Sequence, residues 1–125
     1  DLATLCGVII GGLLGFLWYN VNPADVFLGD TGAMSLGTVL AVVALITNQP
    51  ILLFVIGFPF VVESLSVLVQ SASKKLRHKK IFHSTPIHHH FEALGWKEQR
   101  IVMRFWMISW VFAAVGVVLA LIDKL

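Results

Sequence analysis

Three consecutive histidines, His88, His89 and His90, follow Pro86-Ile87 and precede Phe91-Glu92, in the one strongly polar segment of an otherwise apolar chain. Imidazoles ordinarily titrate near neutral pH and can donate, accept or ligate. Three chemistries compete for such a cluster: a solvated loop rich in histidine, a metal cage, or a polar, partly cationic surface for phosphate groups. The cage is the weakest, because adjacent residues do not readily aim at one ion and no Cys or His stands at zinc-site spacing from them. A second chemical position is Asp30, set between Gly29 and Thr31-Gly32 just ahead of an apolar run. It reads equally as a helix N-cap and as a hard oxygen ligand for Mg²⁺, which favours one or two carboxylates completed by substrate phosphates. Glu63 is the lone carboxylate inside an apolar run. Such a group faces the protein interior or a wet cavity, and a structural hydrogen bond is the preferred reading over contact with substrate.

The elements that must position these residues are membrane spans. Of the 125 residues 58% are hydrophobic and 13% charged, with mean hydropathy +0.87, which excludes an ordinary soluble domain. Four apolar runs are expected as helices, at about 2–19, 33–47, 51–70 and 101–122, giving an all-α integral membrane domain across 1–125. In the first, Gly7, Gly11 and Gly15 recur every four residues, a spacing that lets membrane helices approach closely. Pro59 is expected to kink the third run. Trp106 and Trp110 are read as packing or lipid contacts, and Arg104 as snorkelling outward from the start of the fourth run. Loops are expected at 20–32 and 71–100. Cys6 is a single thiol inside an apolar run, so no disulfide framework exists. The chain begins with Asp rather than Met, and it is expected to be the C-terminal piece of a longer protein.

Charge sets the expected topology. Eight of the nine Lys and Arg fall between Lys74 and Arg104. The positive-inside bias therefore places the segment Lys74 to Arg100 in the cytoplasm, and the run Lys74 to Lys80 is itself read as a topogenic cluster facing lipid headgroups. Alternating spans then put the Asp30 loop on the same face, the Asn48-Gln49-Pro50 turn outside, and both termini outside. The acid and the histidines can form one site on that reckoning, suited to a phosphorylated soluble donor meeting a phosphorylated lipid.

Pro23-Ala24 and Val26-Phe27-Leu28-Gly29-Asp30-Thr31-Gly32 resemble the cytoplasmic loop of the polyprenyl-phosphate N-acetylhexosamine-1-phosphate transferase superfamily. Val62-Glu63-Ser64-Leu65-Ser66-Val67, Pro86 to Glu92 and Arg104-Phe105-Trp106 are similar to the phospho-N-acetylmuramoyl-pentapeptide transferase family within it. The resemblance covers essentially the whole chain. It implies transfer of phospho-MurNAc-pentapeptide from UDP-MurNAc-pentapeptide to undecaprenyl phosphate, giving lipid I and UMP for peptidoglycan synthesis at the bacterial inner membrane. It implies a Mg²⁺ cofactor on Asp30, catalytic roles for Asp30, His88, His89 and His90, uracil stacking on Phe27, and polar substrate contacts from Asn20 and Gln70. It also implies a ten-helix bundle, of which this chain would be the last four spans, a homodimer embedded in the lipid bilayer, and no nucleic-acid partner.

One departure limits the expectation. The family carries an adjacent Asp-Asp pair in its N-terminal half, and this sequence has none. The chain is thus expected to hold part of a site and to be inactive alone. The alternatives are a sibling enzyme transferring GlcNAc-1-phosphate, a non-catalytic membrane segment, and a metal transporter; the last lacks paired ionisable residues in its spans.

Overall fold

The computed structural model describes residues 1–123. Lys124 and Leu125, and with them the expected outer placement of the C-terminus, lie outside the described residues. Among the described residues the chain is all-α: α1 (Leu2–Asn20), α2 (Gly29–Ile46), α3 (Pro50–Ile56), α4 (Phe58–Arg77), α5 (Ile87–Ala93) and α6 (Glu98–Ile122). α1, α2 and α6 are each long and apolar enough to cross a membrane, and α3 with α4 makes a fourth if that bent pair is one span. This is an integral membrane fold. The chain divides into two compact units, 1–49 and 50–125, each described by itself.

In the first unit α1 buries no residue, and large side chains such as Leu5, Val8, Ile10, Leu14 and Trp18 stay exposed. A helix apolar on all sides suits a membrane span or the inside of a larger helix bundle. α2 begins four residues earlier than the expected 33–47. Gly29 makes this possible by adopting φ +67°, a left-handed turn that glycine enters without a Cβ clash. Gly32 completes the start, because a Cβ there would lie 2.7 Å from Leu28 Cγ; its absence lets Leu28 fold over the first turn. The expected loop 20–32 therefore shrinks to the stretch between Asn20 and Gly29, and Asp30 is helical.

The second unit differs most from expectation at the third apolar run. It is two helices meeting at 88°, not one continuous helix with a kink. A continuous helix would press the Pro59 ring against the Val55 carbonyl. Instead the chain breaks at Gly57, and Pro59 falls in the first turn of α4, where a missing N–H costs nothing. α4 then continues past the expected end at 70 to Arg77. Lys74, Lys75 and Arg77 occupy its last turn, where cations complement the negative end of the helix dipole.

α3 packs on α6 through Ile56 against the buried Gly116, beside a stacked Phe58–Phe112 pair with ring centroids 4.0 Å apart. A Cβ at Gly116 would overlap Ile56 Cγ1. Gly116→Ala is expected to destabilise the unit by about 1–3 kcal/mol, the usual scale of overpacking. Thermal unfolding of the detergent-solubilised protein checks this; an unchanged melting temperature would show that α3 and α6 slide apart freely.

Candidate functional site

In the first unit the candidate residues sit where α1 passes into α2. Asn20, the last residue of α1, donates its Nδ2–H to the Val26 carbonyl at 2.7 Å, and the Asp25 N–H bonds the Tyr19 carbonyl at 2.9 Å. These bonds close the loop and leave Phe27 77% exposed, an unsupported aromatic face. Asn20, expected on substrate, is here a loop-closing residue.

Asp30 lies in the first turn of α2. The N-cap position belongs to Leu28, and no side chain caps the helix. The capping reading of Asp30 is thus corrected: its carboxylate is exposed and not consumed by the fold. A carboxylate so free fits Mg²⁺ binding in which phosphate oxygens complete the shell; the N–H groups of the helix start favour the phosphate, not the cation.

The second unit builds the histidine site from α4 upward. Gln70 is only 3% exposed. Its Nε2–H donates to the Phe82 carbonyl at 2.8 Å, and its Oε1 accepts from the Ile81 and Phe82 N–H groups, both at 3.0 Å. Ser73 Oγ donates to the Lys79 carbonyl at 2.9 Å. Two side chains of one helix face thereby pin the segment 79–82 onto α4. Gln70, expected near a nucleoside, organises the approach to the histidines in this structure.

Ile87–Ala93 then forms α5, with Pro86 at its N-cap. A helix turns about 100° per residue, so three adjacent side chains leave it in different directions. His88 Nδ1 meets Glu63 Oε2 on α4 at 3.0 Å, with the two side chains 39% and 21% exposed. Glu63, expected to make a structural hydrogen bond, therefore makes one to a candidate catalytic residue. His89 Nδ1 meets Glu92 Oε2 at 2.6 Å, three residues along the same helix. His90 Nδ1 accepts the His83 N–H at 3.2 Å, and its ring stacks on that of His83 with centroids 5.3 Å apart. Rings of His88 and His89 lie 4.1 Å apart by centroid. Among the described residues no group of three or more His, Cys, Asp or Glu could hold a metal ion.

On its other side α5 is tied to α6. Phe91 stacks on Trp96 at 4.8 Å, and the Arg104 guanidinium lies 4.3 Å over the Trp96 ring. Arg104, expected to snorkel outward from the start of the fourth run, makes a cation–π contact with Trp96 just before that helix. Beside Glu63 on α4, an open apolar groove of about 190 Å³ is lined by Val62, Leu65, Ser66, Val69, Phe82 and Ile87. Glu92 and His83 were not among the expected site residues. The His89–Glu92 spacing of three is the signal that finds Glu92 once the segment is taken as helical.

Comparison with known proteins gives two findings. Residues 1–48 match glycosyl transferase family 4. The chain is also 48% identical over 116 residues to the phospho-N-acetylmuramoyl-pentapeptide-transferase of Rubrobacter xylanophilus, a match that covers 93% of this chain and 35% of that relative. The chain thus spans about a third of the relative's length.

Proposed function

We propose, from the premise that this chain is a homologue of the phospho-N-acetylmuramoyl-pentapeptide-transferases and carries part of glycosyl transferase family 4, that it serves transfer of phospho-MurNAc-pentapeptide from its UDP-linked donor to undecaprenyl phosphate. The products are lipid I and UMP, and the setting is a multi-pass protein of the bacterial inner membrane. The carrying observation is the anchoring of adjacent imidazoles by carboxylates, Glu63 to His88 and Glu92 to His89, in a chain with this relative.

In the reaction an oxygen of the lipid phosphate attacks the β-phosphorus of the donor. The bond from that phosphorus to the UMP oxygen breaks, and the electron pair leaves with UMP. Asp30 would hold Mg²⁺, which would neutralise phosphate charge. Phe27 offers its exposed face to the uracil, and Asn20 fixes the loop that presents it. His88 and His89 meet phosphate groups. Gln70 holds the segment leading to them. The basic run Lys74 to Lys80 supports a cytoplasmic placement of this end of α4.

The test uses the full-length protein in membranes and follows UMP release from UDP-MurNAc-pentapeptide with undecaprenyl phosphate. Release should require Mg²⁺ and fall by about 100-fold in His89→Ala, the usual scale for losing a positioned acid–base group. Release from a UDP-GlcNAc donor with none from the muramoyl donor would replace this reading with the sibling enzyme.

A further inference from the structure

The three histidines carry one residue type but sit in two different hydrogen-bond settings. An ionised carboxylate only accepts, so the ring nitrogen facing it must carry the proton. Glu63 faces Nδ1 of His88 at 3.0 Å, and Glu92 faces Nδ1 of His89 at 2.6 Å. Both neutral rings are thereby assigned the Nδ1–H form, with a lone pair left on Nε2. His90 has the reverse setting. A backbone N–H only donates, and the His83 N–H points at His90 Nδ1 at 3.2 Å. That nitrogen must hold the lone pair, which puts the proton of His90 on Nε2. The ring of His90 is also packed, stacked on His83 and set edge-on to Phe82 and Phe91 at 5.7 and 5.8 Å.

We infer that the motif is two parts: His88 and His89 form a carboxylate-anchored pair that accepts hydrogen bonds through Nε2, and His90 is a positioning residue that works through Nδ1. This rests on the function proposed above, and it names the ligand class. An Nε2 lone pair suits a donor such as the hydroxyl of a singly protonated phosphate, whose one proton serves one of the two rings. Glu63 and Glu92 set the form of the rings, while His90 secures the Phe82–His83 segment against α5.

Asparagine separates the two parts, because its side chain reaches about as far as Nδ1 and has no counterpart of Nε2. In the full-length protein, His88→Asn should lower kcat for UMP release by about 100-fold. His90→Asn, whose Oδ1 can take the His83 N–H, should retain more activity than His90→Ala, which leaves that N–H unpaired. Selective ¹⁵N-histidine labelling of the same protein in lipid nanodiscs reads the tautomers directly at pH 8. The expected spectrum shows the Nδ1–H form for His88 and His89 and the Nε2–H form for His90, with His88 losing its single form in Glu63→Ala. His88 found as Nε2–H or as imidazolium overturns the assignment, and so does His90→Asn proving as inactive as His88→Asn. A wild-type protein that releases no UMP defeats the proposed function instead, and the nitrogen spectrum still decides the tautomers.

Discussion

Asp30→Asn is expected to lower Mg²⁺-dependent UMP release by the full-length protein about 1,000-fold while leaving the fold intact. A bound metal stabilises developing phosphate charge by several kcal/mol, and each 1.36 kcal/mol is a factor of ten in rate. The amide is the same shape as the carboxylate but a much poorer ligand for a hard cation. The structural cost is small because Asp30 neither caps α2 nor is buried. What the helix loses is a negative charge in its first turn, about 0.3–1 kcal/mol. Two measurements are paired: the magnesium dependence of UMP release and the thermal unfolding midpoint. Unchanged magnesium-dependent turnover in Asp30→Asn would remove the residue from the metal site. A large fall in the unfolding midpoint would recast it as a structural residue.

Gln70→Ala should be the most damaging single change to the histidine unit that touches no histidine. The side chain is 3% exposed and makes three hydrogen bonds to the backbone of Ile81 and Phe82. Truncation strands two N–H groups and a carbonyl, each costing about 1–3 kcal/mol if water cannot reach it. Part of the segment is exposed, so a total of about 2–4 kcal/mol is expected rather than the full sum. Gln70→Glu separates the contributions: it keeps the acceptor for both N–H groups but sets a second oxygen against the Phe82 carbonyl. It should therefore destabilise as well, in spite of its similar size. Released from α4, the segment carrying Lys79 and Lys80 should be cut by trypsin faster than in wild type, and UMP release should fall with it. Wild-type cleavage kinetics in both variants would mean that Ser73 and the packing of Phe82 hold the segment alone.

The fold class was legible because lipid-facing helices must be apolar all round, and four runs of that kind stand out by length alone. Their ends were less legible, each for a local reason. Gly29 and Gly32 look like loop formers, yet one turns the chain into α2 and the other makes room for Leu28. Pro59 looks like a kink inside a helix, but Gly57 lets the chain break first and Pro59 starts the next one. α4 runs on through Ser71 to Arg77 because polarity ends a membrane crossing, not a helix.

At the site, local spacing carries the His89–Glu92 pair and the exposure of Phe27 follows from its loop. The bonds from Gln70 to Ile81 and Phe82, eleven and twelve residues away, have no sequence signature. The same holds for Glu63 and His88, twenty-five residues apart. A carboxylate in a span announces that it needs a partner but not which one.

α5 has seven residues and none of them is buried. A helix that short does not persist in water on its own propensity. It exists here because Glu63 holds it from α4, while its own Phe91 stacks on Trp96, which lies under Arg104 of α6. The histidines thus ride on a segment whose opening free energy is set by a few side-chain ties, at the low end of the range within a protein. Any ligand that bridges His88 and His89 would add a further tie and shift this local equilibrium towards the folded turn. Binding and order at this helix are then one coupled event, and weakening either carboxylate would be felt as a loss of affinity before it was felt as a loss of fold.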